Sequence, residues 1–157
     1  MLKEEEELLA LCRRHTWDSA AISRLRQLTS SSSVDVNCVN RDTHTPLMLV
    51  CIRNESQTLR ECVNIVLRNR DVDVTVKTFN GNNALHLLCS NNNSPQMMQD
   101  AQLLIENGVD VNDTNNKGRT ALQNLQGRRD DLLNKAEMIE LLISKGAITT
   151  AAAAAVQ

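Results

Sequence analysis

A chain of 157 residues with 41% hydrophobic residues can build one self-supporting core. Its only aromatic residues are Trp17 and Phe79, so aliphatic side chains must fill that core, which suits close-packed short helices better than a β-sandwich. The net charge of −2 argues against a dedicated nucleic-acid binder, and no apolar run approaches the roughly 20 residues of a membrane span.

In chain order, Met1-Leu2-Lys3 is followed by Glu4 to Glu7, the wrong charge for a signal or transit peptide. The glutamates suit the positive end of a helix dipole and read as a solvated cap. A short apolar helix over Leu8 to Cys12 follows, then a second helix that uses Ile22, Leu25 and Leu28. The serine run Ser30 to Ser33 leads to Val34-Asp35-Val36-Asn37, which returns as Val72-Asp73-Val74-Thr75 and as Val109-Asp110-Val111-Asn112. The steps are 38 and 37 residues. A second marker keeps the same beat: Thr45-Pro46-Leu47-Met48, Asn83-Ala84-Leu85-His86 and Thr120-Ala121-Leu122-Gln123.

Each unit has one grammar. Thr45, Asn83 and Thr120 are N-cap residues, and Pro46 takes the first helical position, where its missing N–H is harmless. A short apolar helix follows, such as Leu47 to Cys51 or Leu85 to Cys89. Polar breaks come next, at Asn54 to Gln57, Asn91 to Pro95 and Gly127 to Asp131. The second helices present Val63, Val66 and Leu67, then Leu103, Leu104 and Ile105, then Met138, Ile139, Leu142 and Ile143. Gly108 and Gly146 are placed as C-caps, and Asn80-Gly81 and Lys117-Gly118 mark tight turns.

These repeats resemble the ankyrin family, with its Thr-Pro-Leu-His-x-Ala signature and its Gly-Ala-Asp-Val-Asn ending. The resemblance rests on Thr45-Pro46-Leu47, Leu85-His86, Thr120-Ala121-Leu122 and Gly108-Val109-Asp110-Val111-Asn112. It covers residues 38 to 148 well. It implies an all-α solenoid of stacked antiparallel helix pairs joined by β-turn or hairpin connections. The expected domain runs over residues 1–150, with units 3–37, 38–75, 76–112 and 113–148, and an Ala-rich tail at 149–157. The first unit is degenerate. The units exceed the family period of about 33 residues, with the excess falling between the two helices of a pair. Thr43 stands at a usual turn glycine and Arg70 at a usual C-cap glycine, so a loosened turn is expected at both.

Cysteines number five, with no CxxC pair, which reads as a reducing compartment, the cytoplasm or the nucleus. Cys12, Cys51 and Cys89 share one repeat position that normally holds a small residue packed between helices. They are expected to be buried, reduced and unbridged. His86, at the signature histidine, is expected to hydrogen-bond neighbouring backbone and tie one unit to the next. No nucleotide loop, catalytic constellation, cofactor or metal site is read from the chain.

The resemblance implies a contact surface of hairpin tips and the exposed side of each first helix, the concave face of the family. The tips supply Arg41, Asp42, His44, Phe79, Asn80, Asn82, Asn116, Lys117 and Arg119. The first helices supply Ile52, Arg53, Ser90, Asn91 and Arg128, with Arg13 and Arg14 at the same place in the degenerate unit. Seven of these residues are basic against Asp42 alone, which points to an acidic segment of a protein partner. Phe79 is either an anchor for that partner or lies flat against the next unit. The expected function is a non-catalytic interaction module: an adaptor, scaffold or inhibitor with no small-molecule substrate. Two alternatives stay open. One is an enzyme with a site built from His15, His44, His86 and the thiols; the other is nucleic-acid binding through the basic stripe.

Overall fold

The computed structural model describes residues 1–52, 57–129 and 131–149. Eight helices occur among the described residues, with no strand: α1 (Lys3–Cys12), α2 (Ser19–Ser30), α3 (Pro46–Cys51), α4 (Gln57–Leu67), α5 (Ala84–Asn91), α6 (Met97–Glu106), α7 (Ala121–Gln126) and α8 (Lys135–Ser144). They form four pairs. Within each pair the two helices pack on each other; α1, α3, α5 and α7 stack as one layer, and α2, α4, α6 and α8 as a second. The apolar spacing places Leu8, Leu11, Leu25 and Leu28 in the first pair's core, and Leu85, Leu88, Ala101 and Leu104 in the third. In α8, Met138 and Leu142 are buried, whereas Ile143, expected on the core face, is 44% exposed. No further unit covers it among the described residues.

The helix starts follow the cap chemistry. Thr45, Asn83 and Thr120 side chains accept from the N–H of Met48, His86 and Gln123. The third helical residue answers in every first helix. Glu5 accepts the N–H of Leu2, Met48 sulfur that of Thr45, His86 Nδ1 that of Asn83 and Gln123 that of Thr120. In α3, α5 and α7 this reciprocal box satisfies two donors per helix, whereas Leu2 has no side-chain acceptor and α1 keeps only the Glu5 half. The opening glutamates do more than cap. Glu7 pairs with Arg24 at 2.6 Å, and Glu4 accepts from Ser33 at 3.1 Å, tying the first helix to its own unit.

In the third repeat α5 and α6 are separated by residues 92–96, where its extra residues fall. Gln57 and Asn91, assigned from sequence to polar breaks, belong to helices instead. Asn54 to Ser56 lie outside the described residues, as does 150–157 of the Ala-rich tail. The third pair's loop is braced: buried Asn92 donates to the Cys51 carbonyl at 3.1 Å and accepts from the Ser94 N–H at 2.7 Å.

The expected loosening occurs at one position and not the other. Thr43 adopts φ +61°, and its turn makes the same pair of bonds as the glycine turns. Asn40 and Thr43 bond as Thr78 and Gly81 do, and as Asn115 and Gly118 do. A β-branched residue in this region costs about 1–2 kcal/mol, so the neighbouring geometry over-determines the turn. Arg70 does depart from the pattern. Gly108 and Gly146 end their helices with a left-handed residue and a six-residue return bond, Val109 to Leu104 and Ala147 to Leu142. Past α4 the turn is closed by the Asn69 side chain, which accepts from the Asp71 N–H at 2.7 Å.

The aspartates of the repeated Val-Asp-Val motif close local turns, accepting from Asn37, Thr75 and Asn112 N–H groups. Asn37 and Asn112 then reach across to the next unit. Asn37 donates to the Asp71 carbonyl and accepts from Asp73 N–H; Asn112 does the same with Gly146 and Ile148. Thr75, in the second unit, bonds to Asp73 of its own motif.

Candidate functional site

The first-helix layer and the hairpin tips enclose three depressions in a row. One, between α1 and the first tip, is lined by Arg13, Leu9, Arg41 and Asp42. The next lies between two tips, with Arg41, Asp42, His44, Phe79, Asn80 and Leu87. The last, between the third and fourth units, holds Asn80, Asn82, Ser90, Asn116, Lys117, Arg119 and Arg128. Most of the residues assigned from sequence therefore share one face. Arg14, Ile52 and Asn91 line none of the three: Ile52 packs half-buried against the core, and Asn91 donates to Leu87 of its own helix. Arg53 lies outside the described residues.

Neighbouring tips are tied together. Phe79 N–H donates to the Thr43 hydroxyl at 2.5 Å, and Asn116 donates to the Phe79 and Asn80 carbonyls at 2.9 and 3.0 Å. Gly81 permits this approach, because a Cβ there would sit 2.4 Å from Asn116 Oδ1, on top of its φ of +76°. The tips thus hold a rigid row from which the Phe79 ring projects at 83% exposure. The ring does not lie against the adjacent unit. It stands beside Arg41 and His44.

The charges differ in their freedom. Arg41, Lys117 and Arg119 are exposed. Arg128 is half-buried, and its Nη1 donates to the Cys89 and Asn92 carbonyls at 3.0 and 2.6 Å, so it ties the fourth unit to the end of α5. Burial pulls His44 below the ordinary histidine range, with Asp42 pulling the other way. Asn115, Asn124 and Asn40 complete the face. Asn115 bridges to Asn82 and Asn124 to Ser90, while Asn40 closes its turn. Repetition at the turn position was the available signal for Asn40 and Asn115, since each lies three residues before the left-handed residue of its turn.

The groups proposed for an enzyme do not converge. His15 is exposed, beyond the end of α1. His86 is fully buried: Nε2 contacts the Arg119 carbonyl at 2.9 Å, and Nδ1 lies 3.4 Å from the Asn83 nitrogen and 2.7 Å from Asn83 Oδ1. Burial lowers its pKa more than the Arg119 carbonyl and Asp113 raise it. All five cysteines are buried and unbridged. Burial pushes the Cys38 thiol up to about 11 and those of Cys62 and Cys89 up to about 12; Cys12 and Cys51 are pushed up strongly too. Thiolates are the reactive form, so these groups are inert at neutral pH. Alkylation of the native protein should therefore proceed only as fast as it unfolds, which mass spectrometry against urea concentration would show. Rapid labelling of Cys12, Cys51 or Cys89 without denaturant would overturn that placement.

One buried group had no sequence signal. Asp100, on α6, is 0% exposed with neither carboxylate oxygen hydrogen-bonded among the described residues. No helix among the described residues is long and apolar enough to cross a membrane.

Comparison with known proteins supports the repeat reading. A model for three copies of ankyrin repeats matches residues 56–153. A curated relative, a probable serine/threonine-protein kinase of Dictyostelium discoideum, is 27% identical over 92 residues, or 59% of this chain. The chain spans only 10% of that relative's length. The ankyrin family is generally non-catalytic, and its repeats are protein–protein interaction modules. On its helix pairs, its turns and this match, the chain belongs to the ankyrin-repeat family.

Proposed function

We propose that this chain is an adaptor, scaffold or inhibitor that binds an acidic segment of a partner protein along the row of hairpin tips and first helices. The observation that carries this reading is Phe79, an aromatic ring 83% exposed on a tip beside exposed Arg41, with exposed Lys117 and Arg119 on the following tip. A desolvated aromatic supplies binding energy, and the surrounding cations steer an acidic partner and select against a basic one. Arg128 and Asn116 then serve as supports for the face, since Arg128 Nη1 and the Asn116 amide already bond within the stack. The buried, unreactive thiols favour the cytoplasm or nucleus as the place of action.

The test begins with affinity capture and identification of a partner, followed by binding kinetics on variants. Phe79→Ala should raise the off-rate and weaken binding by about 1–2 kcal/mol or more. Arg41→Glu with Arg119→Glu should act mainly by slowing association, and more so at low salt. Neither change should move the melting temperature, because both lie on exposed surface. Unchanged affinity in all of these variants would remove the site from this face.

A further inference from the structure

On the opposite face, made by the second helices, a groove of about 550 Å³ lies between α2 and α4. Arg26, Arg68 and Arg70 line it around Ile65, and an adjoining depression adds Arg60. Arg26 donates to Glu61 at 2.7 Å, whereas Arg68 and Arg70 are exposed and make no ion pair among the described residues. The repeat architecture does not demand these arginines. Thirty-eight residues on, Glu106 takes the place of Arg68 and Gly108 that of Arg70. At Arg70 the chain departs from the glycine ending used by α6 and α8, and Asn69 closes the turn instead. Departures from a favoured local choice concentrate where function requires another residue. Four guanidiniums gather here against two carboxylates, Glu61 and Asp71, in a chain of net charge −2, a local excess of positive charge.

We propose that this groove binds a phosphorylated side chain on a short segment of a partner protein, with Arg68 and Arg70 as the phosphate forks and Arg26 and Arg60 at its flanks. Every basic group here is arginine, whose planar fork matches phosphate oxygens pairwise. Clusters of this kind are a general device for reading phosphorylated segments. Glu61 and Asp71 stand on the rim. They favour a compact dianion over a long polyanion such as nucleic acid, whose further phosphates would meet them. The volume falls within the roughly 300–1,000 Å³ of sites that hold small ligands. The proposal stands apart from the tip face and does not rest on it.

The test is a titration of the isotope-labelled full chain, followed by NMR, with a short peptide carrying phosphoserine between glycine and serine residues. The same peptide with unmodified serine, the same with glutamate, and a single-stranded oligonucleotide are the comparisons. The phosphopeptide should shift backbone signals of residues 65–71 and the Nε signals of Arg68 and Arg70, with the unmodified peptide silent. Arg68→Gln with Arg70→Gln should weaken that binding about tenfold or more at an unchanged melting temperature. Shifts confined to the tip face, an equal response to the glutamate peptide, a stronger response to the oligonucleotide, or unaltered binding in the double variant would each overturn it.

Discussion

Replacing Asp100 by leucine is expected to raise the melting temperature at pH 8 by on the order of 10 °C, and by clearly less near pH 4. The carboxyl group is fully buried on α6, has no hydrogen bond among the described residues, and lies close enough to Cys51 to raise that thiol's pKa. Burial raises its own pKa from 3.8 to about 7, with Arg60 only partly opposing. Between those two values the folded state holds the proton more tightly than the unfolded chain does. Stability from this group is therefore complete below about pH 4 and lost as pH rises to about 7. The loss is on the order of 4 kcal/mol, at about 1.4 kcal/mol per unit. For a chain of this size, each kcal/mol moves the melting temperature by roughly 2–4 °C. Met138 fills the matching position one repeat later and is fully buried, which shows that the site accepts an apolar side chain. Melting curves of wild type, Asp100→Asn and Asp100→Leu from pH 4 to 8 isolate the effect from other titrations, since only the differences matter. If wild type and Asp100→Leu run parallel over that range, the carboxylate has a compensating charge in the folded protein.

His86→Ala is expected to destabilise the stack by roughly 3 kcal/mol. The change opens a cavity in a fully buried site and leaves the Asn83 N–H and the Arg119 carbonyl without their bonds. His86→Gln should be milder, because Gln123 performs the same reciprocal capping in the fourth unit by accepting the Thr120 N–H at 3.0 Å. What glutamine is not expected to reproduce is the bond to the next unit. Urea denaturation of both variants measures the split between capping and unit-to-unit bonding. Equal losses would mean that capping contributes little and the link to Arg119 dominates.

The helix starts and the repeat period were legible because they depend on single residue types at fixed spacing. Thr45, Asn83, Thr120 and Gly108 act through short-range backbone chemistry that any context preserves. His86 was legible as a tie between units for the same reason, and its bond to the Arg119 carbonyl bears that out. The turn at Thr43 was misread because residue preference alone says nothing of the bonds that hold φ positive, among them the link from Phe79 N–H to the Thr43 hydroxyl. Arg128 was assigned to the contact face by register; its role as a tie to the end of α5 depends on carbonyls 36 and 39 residues away, which no local pattern reveals. Asp100 escaped notice because an aspartate on a polar-looking helix start reads as solvated. The proposed contact face followed from the family resemblance, and exposure of Phe79 could be decided only in three dimensions.

The unequal spacing of the Asn37 and Asn112 clamps has a mechanical meaning. A stack of repeats is a chain of springs coupled only to their neighbours, and it yields first at the softest coupling. The third and fourth units share the Asn112 clamp, the His86 bond, the Asn116 ties and the Lys77–Asp113 pair at 2.6 Å. Between the second and third, the Phe79–Thr43 and Asn92–Cys51 bonds remain, but Thr75 replaces the clamp and the carboxyl of Asp100 is buried in the seam. Under load, or during thermal breathing, the molecule should hinge there into two blocks, one carrying the arginine groove and the other carrying Lys117 and Arg119. Native-state hydrogen exchange would register this as a lower opening energy for α3 and α4 than for α5 and α7; uniform protection across those helices would show a stack without a seam.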